Sequence, residues 1–141
     1  MMQRIANLLK RYRKNEDAAT AVEFALVALP FLLMIFGVME GGRVMWSMNG
    51  VQFAIEETSR YASINSTLTN ESFESYAQGK LAEMYVASTP LIVTSSSVTT
   101  NGVNFIEIDG TYTHSTMLNG FLPANFGNFE FTTSARKPVI N

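Results

Sequence analysis

The feature that most constrains this chain is a run of sixteen residues without a charge, Phe24–Met39, reading FALVALPFLLMIFGVM. Apolar side chains fall on every side of the helix it would form, and no polar stripe is left to face water. As a helix the run spans about 24 Å, less than the ~30 Å hydrocarbon core of a bilayer. Extending it back to Ala18 gives twenty-two residues and takes in Glu23. The segment is therefore long enough to cross a membrane if one carboxylate is tolerated near its edge. The alternatives are a buried core helix and a cleaved secretory signal. The all-round apolar surface argues against the first. The second lacks the small-residue cleavage pattern, because Val38-Met39-Glu40-Gly41-Gly42 follows the run.

Charge placement gives the segment a direction. Five of the ten basic residues (Arg4, Lys10, Arg11, Arg13 and Lys14) precede it, and few follow Met39 over the next 45 positions. This asymmetry predicts a cytoplasmic N-terminus and an exported C-terminus, with Trp46 as an interfacial aromatic. The basic head is too short for a nucleic-acid domain, and Tyr12 is its only interleaved aromatic. Pro30 lies mid-segment; in a soluble helix it would cost about 3 kcal/mol, whereas membrane helices accommodate it. Gly37 and Gly41 form a small-xxx-small pair that lets another helix approach.

Glu23 is an expensive residue inside such a helix, about 2.5–3.5 kcal/mol at the centre of a span and less near its edge. It either snorkels to headgroups or meets a positive partner. The stretch from Asp17 through Ala-Ala-Thr-Ala-Val-Glu-Phe to Pro30 resembles the processing region of TadE-, TadF- and Flp-type prepilins. Gly37-Val-Met-Glu-Gly-Gly-Arg43-Val-Met-Trp46 and Glu57-Thr-Ser-Arg60-Tyr61-Ala62 are similar to the segments that close and continue the family's helix. The resemblance to the TadE-like (TadE, TadF, TadG) pseudopilins of the tight-adherence pilus covers about residues 10–62. It implies a prepilin-peptidase cut between Ala18 and Ala19, with Glu23 and Phe24 at mature positions five and six. The family usually has Gly where this chain has Ala18. It also implies that Glu23 neutralises the N-terminal ammonium of an adjacent subunit, and that the helix packs through Glu23, Pro30, Gly37 and Gly41. From the residues alone, Glu40 and Arg43 are i, i+3 on one helix and can pair.

Beyond Trp46 the helix is expected to continue, with Phe53, Ala54, Tyr61 and Ile64 as its apolar stripe and Gly50 weakening it by about 1 kcal/mol. Asn65–Asn70 reads as a loop. Asn70 is expected to cap a second helix, with Glu71 and Glu74 in its first turn and Phe73, Ala77, Leu81 and Met84 on one face. Pro90 ends the helical region. Leu91–Thr100, the turn Asn101-Gly102 and a strand over about Val103–Thr113 read as a hairpin with Ile106, Ile108 and Tyr112 on one face. Asn119-Gly120 to Pro123 reads as a loop. A third strand has Phe129, Phe131 and Thr133 alternating with Glu130, Thr132 and Ser134.

The fold class is therefore α+β: a long N-terminal transmembrane helix continuing into a small exported domain of about two helices and an antiparallel sheet of three or more strands. The divisions are a basic cytoplasmic leader (1–18), a transmembrane pilin-type helix (19–46) and an exported domain (47–141). With no cysteine and one histidine, thiolate zinc sites and cysteine nucleophiles are excluded, and no cofactor or metal is expected. His114, Glu107 and Asp109 would support a hydrolase only if they shared a pocket. The expected function is non-enzymatic: a minor pseudopilin or priming component in the bacterial inner membrane or an extracellular pilus. Its expected partners are prepilin peptidase, other pilin and pseudopilin subunits, the inner-membrane assembly platform and the lipid bilayer, and not nucleic acid. The alternative is an uncleaved signal-anchored periplasmic binding or scaffold module of a secretion system.

Overall fold

The computed structural model of the chain describes residues 16–86, 90–117, 119 and 127–140. The basic leader and most of the expected loop from Gly120 to Pro123 lie outside these residues. Helix α1 spans Glu16–Ile64 and α2 spans Asn70–Glu83; strands β1 (Leu91–Thr100), β2 (Val103–Ser115) and β3 (Asn128–Pro138) follow. The chain divides into two units, Met1–Met39 and Glu40–Asn141.

In the first unit, α1 runs through Pro30 without interruption. Its apolar side chains, among them Phe24, Leu26, Val27 and Met34, are exposed. No described residue of this unit buries them, so the segment retains the surface of a helix made for an apolar solvent.

The second unit is an α+β layer. Its sheet has the order β1-β2-β3, antiparallel throughout. The β1–β2 turn is Asn101-Gly102, with φ of 52° and 78°, the left-handed pair that a two-residue hairpin of this hand requires. The register places Tyr112 opposite Leu91 and Phe131, and Ile108 opposite Ser95 and Ala135. Alternation then sends Ile106, Ile108, Gly110, Tyr112 and His114 to one face, and Glu107, Asp109, Thr111 and Thr113 to the other.

The inner face packs on α1 only partly along the expected stripe: Ala54 is buried and Tyr61 packs against the core. Phe53 and Ile64 are exposed, and the buried residues are Ser47, Val51, Ala54, Ile55, Thr58, Ser59, Ala62 and Ser63. Their small size permits close approach of helix and sheet. A Cβ at Gly110 would collide with Ile55, lying 2.6 Å from its Cγ1. Two of the four hydroxyls in this stripe are satisfied by the helix itself: Thr58 Oγ1 donates to Ala54 O at 2.7 Å and Ser63 Oγ to Arg60 O at 2.8 Å. Among the described residues, buried Ser59 Oγ has no partner. Gly50, expected only to weaken the helix, has a packing role: a Cβ there would lie 2.6 Å from Val86 Cγ2.

Helix α2 covers the other flank of α1. Phe73, Ala77 and Leu81 are buried as the spacing predicts, and Met84 packs beside them just past the helix end. Tyr61 stacks on Tyr76 at 4.4 Å and meets Phe73 edge-on at 6.5 Å. Asn70 does not cap α2. Thr69 occupies the N-cap without a side-chain capping bond, and only Glu71 of the two expected acids lies in the first turn. Asn70 instead accepts from Ser95 N at 3.0 Å, and Gln78 accepts from Leu91 N at 3.1 Å. Both bonds seal donors on the outer edge of β1. The opposite edge differs. Val139 N donates to Asn104 O and Thr116 N to Gly127 O, so odd-numbered residues of β3 face β2. The backbone groups of Glu130, Thr132, Ser134 and Arg136 therefore point away from the sheet.

Two substitutions test this packing. Gly110→Ala is expected to destabilise the domain by about 1–3 kcal/mol through overpacking, and Ile55→Val in the same chain to recover part of the loss. Ser59→Ala is expected to be neutral or stabilising by up to about 1 kcal/mol, because it removes an unpartnered buried hydroxyl. Urea unfolding followed by far-UV circular dichroism measures both.

Candidate functional site

The residues singled out in the anchor all lie on α1. Ala18 and Ala19 fall within the helix near its start, and Glu23 follows Ala19 by four residues, about one turn. Ala19, Glu23 and Phe24 are exposed. Pro30 is inside the helix. At Gly37 and Gly41 an added Cβ would meet no atom within 4 Å, so both positions leave backbone open to an approaching surface.

A second constellation forms where α1 enters the domain. Glu40 Oε2 accepts from Arg43 Nη1 at 2.9 Å, the i, i+3 pair that the spacing predicts. The same carboxylate has two further partners that the spacing does not reveal. Its Oε1 lies 3.1 Å from His114 Nε2, and its Oε2 accepts from Met117 N at 3.4 Å. His114 Nδ1 in turn lies 3.1 Å from Ser47 Oγ. His114 sits at the end of β2 with 2% of its surface exposed, and Ser47 is also buried.

The proton inventory follows from these partners. An ionised carboxylate only accepts, so His114 Nε2 must carry hydrogen toward Glu40. In the neutral ring Nδ1 then accepts, and Ser47 donates to it. Every polar group in the chain Arg43–Glu40–His114–Ser47 has a partner of opposite role, which makes the cluster a clasp between α1 and the end of β2. It contains a serine, a histidine and a carboxylate, but in an order that does not suit acyl transfer. In hydrolase triads the serine faces Nε2 and the carboxylate faces Nδ1. Here the two nitrogens are exchanged and the serine hydroxyl is buried.

The three groups considered for a hydrolase do not converge. Glu107 and Asp109 share the outer face of β2, opposite Arg136 and Ser134 of β3, whereas His114 lies on the inner face. A shallow groove against α2, lined by Glu71, Glu74, Gln78 and Pro90, contains none of them. Among the described residues, no group of three or more His, Asp or Glu is placed to hold a metal ion.

The clasp has measurable strength. His114→Ala leaves Ser47 and one Glu40 oxygen without their partner and is expected to cost at least about 1–3 kcal/mol. Ser47→Ala is expected to cost less, because only His114 Nδ1 loses its donor. Glu40→Ala is expected to speed hydrogen exchange at the Met117 amide selectively. Unchanged exchange there would show that the carboxylate does not hold the turn.

Comparison with known proteins bears on the anchor and the clasp together. The family described as TadE-like protein matches residues 18–60. The match begins at Ala18 and includes Glu23, Phe24, Pro30, Gly37, Glu40, Gly41, Arg43 and Ser47, and ends before α2 and the sheet. No match was found among curated proteins or among solved structures. The anchor helix and the α1 half of the clasp thus form a segment similar to the TadE-like family.

Proposed function

We propose that the chain is a minor pseudopilin, or a priming component, of a tight-adherence pilus. The reading rests chiefly on one observation: the TadE-like match covers residues 18–60 and contains Glu23, which would stand at position five of a chain cut before Ala19. In this proposal residues 1–18 are a cytoplasmic leader that a prepilin peptidase removes. Residues 19–46 are a pilin-type membrane helix, and residues 47–141 are exported to the periplasmic side. The basic residues before the apolar run and their scarcity after it support this orientation.

The chemistry assigned to Glu23 is charge neutralisation. Cleavage would create an ammonium at Ala19, and an uncompensated charge in hydrocarbon costs several kcal/mol. A carboxylate on a neighbouring helix would offset that cost and fix the axial offset between the two. Gly37 and Gly41 would let such a helix approach closely, and the inner-membrane assembly platform would be the site where subunits meet. The exported domain is larger than a major Flp subunit needs, which favours a minor or priming role.

Ala18, in place of the usual glycine, favours a second reading, an uncleaved anchor carrying a periplasmic binding or scaffold module. Intact mass and N-terminal sequence of membrane-purified protein, with and without prepilin peptidase, separate the two. Loss of eighteen residues supports the pseudopilin; an intact leader in both samples supports the permanent anchor. Glu23→Ala is expected to leave membrane insertion intact and to reduce pilus assembly, read by pilus yield from sheared cells. Normal piliation in that variant would remove the role given to Glu23.

A further inference from the structure

We propose that the end of the exported domain that holds Glu40, the first residue after the uncharged run, docks on the lipid surface, with Tyr85, Met117 and Phe129 as its contact residues. The proposal rests on the membrane anchoring of α1 argued above. It concerns residues that lie outside the TadE-like match and that no step of pilus assembly has yet used.

The position of these residues follows from contacts within the domain. Met117 N is bonded to Glu40, the first residue after the uncharged run. Phe129 pairs across the sheet with His114, which is itself bonded to Glu40 and Ser47. Tyr85 follows Met84, whose carbonyl accepts from Trp46 Nε1 at 3.1 Å. All three are therefore tied to α1 between Glu40 and Ser47, a rise of about 10 Å. That is comparable with the ~5–10 Å over which an interfacial surface sinks into headgroups. Met45 and Trp46 of α1 are exposed over the same rise, and Met48 just beyond it.

Among the described residues, no packing accounts for the three side chains. Tyr85 is 92% exposed, Met117 60% and Phe129 50%. Tyr85 also has a φ of 54°, a left-handed conformation that Gly or Asn adopts at lower cost after a helix. A bulky aromatic in strained backbone, projecting into water, gains nothing from packing. At a bilayer surface the same side chain belongs, because Tyr and Trp place an apolar body and a polar tip at the headgroup level. The charges close by do not oppose this. Glu40 and Arg43 neutralise each other, and Glu130 lies on the opposite face of β3 from Phe129. Continuity with the apolar helix selects lipid as the occupant, since the chain itself brings this end of the domain to the membrane.

The chain contains no cysteine, so each label introduced is unique. Tyr85→Cys, Met117→Cys and Phe129→Cys, made in the full chain, would carry a polarity-sensitive fluorophore in vesicles of phosphatidylethanolamine and phosphatidylglycerol. Leu32→Cys serves as the hydrocarbon control. Val103→Cys, in the hairpin at the far end of the domain, serves as the aqueous control. The expected result is a blue shift at 85, 117 and 129, with emission lost when brominated lipids are added, and an unshifted, unquenched signal at 103. Water-like emission at the three sites, with Leu32→Cys quenched, would overturn the docking while leaving the anchor in place. A blue shift that brominated lipids do not quench would mean that a second copy of the chain covers this surface, and would also overturn it. An unquenched Leu32→Cys would remove the anchoring and the docking together.

Discussion

The domain depends on how closely α1 can approach the inner face of β2. The contact is set by what is missing: a side chain at Gly110, and bulk along the helix face of Ser47, Val51, Ala54, Thr58 and Ala62. Ile55 fills the space that Gly110 leaves. Once helix and sheet are this close, the aliphatic row Leu91, Val93, Ile106 and Ile108 is shielded from water without large residues on the helix. Phe73 and Leu81 of α2 complete the core on the other flank. The clasp of Glu40, His114 and Ser47 then closes the end of this interface, where the apolar row runs out and a polar solution is available.

The parts of this architecture that obey a short period were legible in the sequence. Asn101-Gly102 marked the hairpin, and the alternation from Val103 onward assigned faces that the register bears out. Phe73, Ala77 and Leu81 showed the buried side of α2 for the same reason. The buried side of α1 was not legible by hydrophobicity, because Ser47, Thr58, Ser59 and Ser63 are polar by type. Thr58 and Ser63 are buried at little cost, since their hydroxyls return to carbonyls one turn back. Reading size rather than polarity would have found the stripe, because small residues recur at helical spacing from Ser47 to Ser63. Asn70 misled for a related reason. Its sequence position suited a cap, but a strand 25 residues away offered its carbonyl a better donor.

The candidate site divides along the same line. Glu40 with Arg43 is a local pair and was visible. His114 was recognised only as the single histidine at a strand end, because its partners lie 67 and 74 residues away. One clue was available in advance: parity along β2 separates His114 from Glu107 and Asp109, so a shared pocket was already excluded by alternation. The TadE-like match supplies the other half of the picture. It covers the carboxylate and the serine on α1 but stops short of the histidine. The helix side of the clasp is thus family-like, and the sheet that completes it belongs to the remainder of the chain.

The two edges of the sheet are not equivalent, and this gives the domain a polarity of growth. Asn70 and Gln78 occupy donors along β1, so a strand arriving there would first have to displace side chains. Among the described residues, no side chain occupies the outer groups of β3, and Pro138 offers no donor at its end. Strand addition in concentrated or partly unfolded protein is therefore directed to one side. Edge pairing between copies would therefore favour β3 against β3, since each β1 edge has two of its outward donors already occupied.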